Sequence, residues 1–162
     1  MDQSLLKRME PRTSSPQARL RAIRELSSSN VPVRALLSPI IPGLNDFEVP
    51  KLVAAASGAG AACVRSTVVR LPGAVQDVFL DWLRQNLPNQ QSRIESRIRQ
   101  IRGGELTDTQ FGSRMSGDGQ LAKQIHSTCQ LFARKHGLQE DLKPLNREAF
   151  RRPSSSPQLR LF

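Results

Sequence analysis

The sequence predicts an α/β fold, and three observations carry that expectation. Two short apolar runs, Val33 to Leu37 and Ala62 to Leu71, are rich in Val, Leu and Thr and lie next to Pro or Gly, as buried parallel strands do. A stretch of helical period lies between them. Strands joined through a helix run parallel, and two of them leave both sheet edges open.

The elements follow in order. The first twelve residues show no cap and no clear period, so no element is expected there. Ser15 as N-cap and Pro16 at the first helical position start a helix that ends at Ser27 to Asn30, with Leu20, Ile23 and Ser27 turned inward. The first strand is stopped by Pro39, Pro42 and Gly43. Asn45 or Asp46 caps a helix over about Phe47 to Ser57, closed by Gly58, Ala59 and Gly60. After the second strand, Val75, Val78, Phe79, Trp82 and Leu83 form an amphipathic helical stripe. Pro88 opens a further helix with Ile94, Ile98 and Ile101 inside and Arg93, Arg97, Arg99 and Arg102 outside. A glycine-bearing loop, GGELTDTQFGSRMSGDG, precedes a last helix over residues 120 to 136 on Leu121, Ile125, Cys129 and Phe132. From Leu138 the period is lost, and residues 151 to 157 read as a linker.

The chain has 162 residues, about one domain, with 24 Lys plus Arg against 14 Asp plus Glu and a formal charge of +10. Nineteen of those cations are arginine. Guanidinium pairs with phosphate in bidentate fashion, so nucleic acid is the expected class of partner. Cys63 and Cys129 stand alone without CxxC spacing, and two histidines add no metal signature; no metal ligand is assigned. A reducing, cytoplasmic location without membrane insertion is expected from the cysteines and from the lack of a long apolar run.

The stretches MEPRTSSPQARLRAIRELSSSNVPVRALLSPIIPGLND, LPGAVQDVFLDWLRQNLP, SRIRQIRGG and FGSRMSGDG, with the terminal QLRLF, resemble the C-terminal half of a radical S-adenosylmethionine protein. The group is the one related to spore photoproduct lyase and called DNA repair photolyase-like. The resemblance implies a partial TIM-type (βα) barrel, of which residues 1–73 would be the C-terminal half. Residues 74–137 would be a helical extension with the Gly-rich loop, and residues 138–162 an irregular tail. It also implies S-adenosylmethionine and a 4Fe-4S cluster held by a CxxxCxxC loop. That loop is absent here, so the chain is expected to lack the first half of the barrel, to ligate no cluster and to be inactive alone.

On the resemblance, IPGLND matches an IxGxxE-type motif: Ile41 would pack on adenine, Gly43 would permit a close backbone turn and Asp46 would take the acidic place. The same residues also read as a Pro-Gly turn with an Asp N-cap. Arg70 resembles the adenine contact after the next strand, or faces substrate, or faces solvent. Arg12 would meet the cofactor carboxylate or a substrate phosphate, or pair with Glu10. Backbone N–H groups of the loop around Arg114 suit a phosphate, although no GK[ST] is present. No catalytic residue is assigned.

The tail, Gln158, Leu159, Arg160, Leu161 and Phe162, resembles the QLxLF peptide by which bacterial polymerases and repair proteins dock on the sliding clamp. Gln158, Leu159, Leu161 and Phe162 would make that contact; folding back on the protein's own surface is the other outcome. A non-enzymatic DNA- and clamp-binding module is the alternative to the radical-enzyme reading.

Overall fold

The structure is a computed structural model that describes residues 3–109, 111–144, 148, 150 and 151. Seven helices flank a two-stranded parallel sheet among the described residues, and no barrel closes. The helices are α1 (Gln3–Met9), α2 (Pro16–Ser28), α3 (Val49–Gly58), α4 (Val75–Asn86), α5 (Gln91–Gln100), α6 (Ser113–Ser116) and α7 (Gly119–Lys135); the strands are β1 (Arg34–Ile40) and β2 (Cys63–Val68). The α/β class and the strand–helix–strand unit are those that the sequence predicts.

The sheet register runs from Arg34 opposite Cys63 to Leu37 opposite Ser66, then slips before Ile40 opposite Val68. Alternation along the pleat gives the two faces different company. Ala35, Leu37, Val64 and Val68 lie under α3 and α7 with Val49, Val53, Ala56, Ile125 and Cys129. The opposite face carries Arg34, Leu36, Ser38, Arg65 and Thr67 and is largely open, with Leu36 58% exposed. Thr67 donates to the Ser38 hydroxyl across it at 2.6 Å, and Asp141 pairs with both Arg34 and Arg65. Gln139 bridges to Cys63 on β2, while the outer edge of β1 is unpaired among the described residues.

A second apolar cluster sits beyond the carboxyl ends of the strands. Ile41, Leu44, Val69 and Leu71 meet Leu83 of α4 and Ile94 and Ile98 of α5 there. The isoleucine stripe of α5 therefore does what its period predicts: Ile94 and Ile98 are fully buried.

Several sequence expectations need correction. Residues 3–9 are helical, because Leu5 and Met9 find apolar cover in the second cluster, and Trp82 Nε1 donates to the Arg8 carbonyl at 3.1 Å. Strand β1 continues through Pro39, whose missing N–H costs little on an edge strand. Strand β2 ends at Val68 rather than Leu71, since its neighbour ends at Ile40 and offers no further ladder. On α4 only Leu83 is buried; Val75 and Val78 are 50% and 69% exposed, because the helix meets α5 through its second half. Arg102, expected outside, is buried. No helix among the described residues is long and apolar enough to cross a membrane.

Candidate functional site

The turn that leaves β1 is tied by its own side chains. Asn45 Oδ1 accepts the Ile41 N–H at 2.7 Å, and Asn45 Nδ2 donates to the Pro39 carbonyl at 3.1 Å. Asp46 Oδ1 accepts the Gly43 N–H at 2.9 Å. Neither side chain caps α3: both reach back to the turn, and a short 3-10 segment, Asp46–Glu48, leads into the helix instead. These Asx-type bonds hold the chain in the tight bend that Pro42 and Gly43 allow.

Helix α5 closes over this turn. Arg93 Nη2 donates to the Gly43 carbonyl at 3.0 Å and to Gln90 Oε1 at 2.8 Å, while Arg97 Nη1 lies 3.5 Å from Asp46 Oδ2. The Arg97 stem crosses so close to Gly43 that a Cβ there would lie 2.8 Å from Arg97 Cδ. Between this turn, α5 and α7 opens a cavity of about 600 Å³, bordered by Gly43, Asp46, Phe47, Arg93, Arg97, Gln124 and Thr128. Phe47 is 73% exposed beside it.

The structure thus brings Gly43 and Asp46 together and adds Arg93, Arg97 and Phe47, which sequence reasoning did not assign to a site. The available signal was the i, i+4 spacing of the two arginines, which places them on one helical face. Ile41 is directed elsewhere: at 1% exposure it is enclosed in the second cluster and offers no surface to a nucleotide base.

Arg70 is exposed just past β2, with Nη1 3.8 Å from the Met115 sulfur of α6. Arg12 is exposed between α1 and α2, and Glu10, its expected structural partner, pairs with Arg19 at 3.4 Å. Arg102 locks the glycine loop to β2. Its Nη2 donates to the Val69 carbonyl at 2.7 Å and its Nη1 to the Ser113 carbonyl at 3.3 Å, with Asp108 3.8 Å away. Burial pulls the Arg102 pKa below the ordinary arginine value, and Asp108 opposes that shift. Arg114 stands over the Phe111 ring at 5.1 Å.

Both cysteines are buried, at 0% and 4% exposure, and no cluster of metal-ligating side chains occurs among the described residues. Burial raises the Cys129 thiol pKa, against the hydrogen bond to Ser66 and the charge of Arg65. His126 Nε2 lies 2.9 Å from the Ser116 carbonyl, which can only accept; the ring is therefore an N–H donor there, and in its neutral form Nδ1 accepts from the Ser66 hydroxyl at 3.0 Å. That network fastens α7 to β2 and α6. The clamp-like residues Gln158, Leu159, Leu161 and Phe162 lie outside the described residues.

No protein-family model, curated protein or solved structure matches this chain.

The residues present do not fit a 4Fe-4S cluster, since both thiols are enclosed in packed side chains. The fit to S-adenosylmethionine is partial. Arg70 and Arg12 are open to solvent, and Ser38 and Thr67 present hydroxyls on the open sheet face. Ile41, Gly43 and Asp46 are occupied by packing and by the arginines of α5.

Proposed function

We propose that this chain forms the C-terminal half of a radical S-adenosylmethionine protein of the spore photoproduct lyase-related group, with nucleic acid as the substrate class. The observation that carries the reading is the open, polar-lined face of a parallel sheet whose first strand ends in the IPGLND turn. All-parallel sheets are ordinarily covered on both faces. In a (βα) barrel the uncovered face is the interior, and ligands sit at the carboxyl ends of the strands.

A second feature supports a partial barrel. An apolar groove of about 240 Å³ runs along β1, walled by Leu5 and Met9 of α1 and by Leu20 and Ile23 of α2. In this proposal a further parallel strand pairs with the open edge of β1 at that position. Cofactor and cluster together would supply one-electron chemistry that takes hydrogen from a substrate. The part of this chain is to form one wall. Arg70 and Arg12, both exposed, offer guanidinium donors to a carboxylate or phosphate, and the Ser38 and Thr67 hydroxyls lie on the open sheet face.

The test mixes this chain with a polypeptide that carries the CxxxCxxC half and measures retention of labelled S-adenosylmethionine by equilibrium dialysis. Retention by the mixture, with loss on Arg70→Gln, is the expected result. A four-iron cluster assembled on this chain alone after anaerobic reconstitution overturns the reading.

The tail adds a partner. Gln158, Leu159, Leu161 and Phe162 dock on a bacterial sliding clamp in this proposal, with micromolar affinity as expected of short linear peptides. Loss of that binding on Leu161→Ala with Phe162→Ala is expected by fluorescence anisotropy; no binding of the terminal peptide removes the clamp from the proposal.

A further inference from the structure

The cavity between the Gly43–Phe47 turn, α5 and α7 stands apart from the open sheet face and is not used by the function proposed above. Two guanidiniums, Arg93 and Arg97, border it against one carboxylate, Asp46, so its net charge is positive. Asp46 is engaged by the Gly43 N–H and Arg97, and its side chain is only 18% exposed. Arg93 spends one nitrogen on two neutral oxygens, the Gly43 carbonyl and the Gln90 side chain. A guanidinium has five N–H donors, so capacity for an anion remains.

Beside these cations stands Phe47, 73% exposed. So exposed, the ring is accessible to a planar group that stacks on it. The volume, about 600 Å³, lies within the range of small-ligand sites, about 300–1,000 Å³. A cationic groove with an aromatic platform is the physical signature of single-strand binding: phosphates follow the cations and bases stack on the ring.

We propose that this cavity takes one nucleotide of a single-stranded nucleic acid, with its phosphate on Arg93 and Arg97 and its base on Phe47. The inference rests on the nucleic-acid part of the function proposed above and is independent of the cofactor. A formal charge of +10 favours a polymer over a free nucleotide, because a polyanion gathers many contacts at once.

The experiment uses the full chain and fluorescence anisotropy with a labelled single strand of about 12 nucleotides, within the site sizes of such binders. A second strand of equal charge is abasic throughout. Phe47→Ala is expected to weaken the intact strand about tenfold and to leave the abasic strand unchanged. Arg93→Gln is expected to weaken both and to lower the salt slope by about 0.7, the value for one phosphate on a single strand. Arg84→Gln, on α4 and paired with Asp81, is the control for loss of charge alone.

Phe47→Ala acting equally on both strands, or on neither, overturns the site. So does an Arg93→Gln effect no larger than that of Arg84→Gln. A nucleoside monophosphate that binds as tightly as the strand makes the free nucleotide the ligand and overturns the polymer. No binding of either strand by the unaltered protein overturns this site together with the nucleic-acid part of the wider reading. Binding that survives both cavity substitutions overturns the site only.

Discussion

Gly43 has φ +82°, a conformation that side-chain-bearing residues adopt at a cost, and the space where a Cβ would stand is taken by Arg97. Two penalties therefore meet at one position. Gly43→Ala is expected to destabilise by more than about 1 kcal/mol, a fall in Tm of about 2–4 °C per kcal/mol for a chain of this size. Thermal denaturation measures it, and the double substitution with Arg97→Ala separates the causes. If the close approach dominates, the double variant recovers part of the loss; if the backbone dominates, Gly43→Ala costs the same with or without the arginine. The same turn shows how far single residues were legible. Pro-Gly-x-Asn-Asp announces a turn in any context, yet a sequence does not say whether its Asn and Asp bond forward to a helix or back into the turn; here Asn45 reaches Ile41 and Pro39, and Asp46 reaches Gly43 with Arg97 of α5 beside it. Ile41 is similar. Its apolar character predicts burial, but only the placement of α4 and α5 decides that its cover is protein.

At the scale of elements, the helices whose apolar stripe is complete within their own length were legible, and the pieces that depend on distant partners were not. Ser15 and Pro16 bound α2, and Ser15 Oγ accepts the Ala18 N–H at 3.2 Å as a cap should. Ile94 and Ile98 orient α5 without help. Arg102 follows that helix by two residues, where the helical period no longer says which way a side chain points, and it turns inward to hold the glycine loop. Its Nε is buried without a hydrogen-bond partner among the described residues. Removing the side chain relieves that orphan atom and a desolvated charge, but it strips a donor from the Val69 carbonyl, worth about 1–3 kcal/mol when left unpaired, while the Ser113 carbonyl keeps the Gly117 N–H at 2.7 Å. The lost bond to Val69 outweighs the relief, because the charge keeps partial compensation from Asp108. Arg102→Met is thus expected to cost about 2 kcal/mol and to loosen the loop before the rest of the protein. Limited trypsin digestion reads this directly: cleavage after Arg114 should accelerate well ahead of cleavage after Arg84 on α4. Equal acceleration at both sites would mean that Arg102 supports the whole fold rather than the loop.

For the whole molecule, the open sheet face is the largest departure from what a self-contained parallel sheet needs. Two strands, of seven and six residues, are too few to make a stable sheet alone, and α3 and α7 supply cover on one side. On the other side Leu36 projects between Arg34 and Ser38 with 58% of its surface in water. A leucine so exposed contributes little to the stability of this chain by itself. It contributes much to any contact that covers the face, since burying it fully is worth about 1.5–3 kcal/mol. Leu36→Asp separates the two situations. In the chain alone the substitution is expected to cost about 1 kcal/mol, the span of strand preference, since Leu36 lies in the ladder of β1 and borders the apolar groove. In the mixture with the CxxxCxxC half, the proposed barrel would carry the same carboxylate into a closed interior, where the two cations of this chain's open face, Arg34 and Arg65, are already engaged by Asp141. Association measured by analytical ultracentrifugation should then weaken by about tenfold or more. A large fall in Tm for the chain alone would show instead that its own atoms cover Leu36 in solution, and the face would no longer be free to receive a partner.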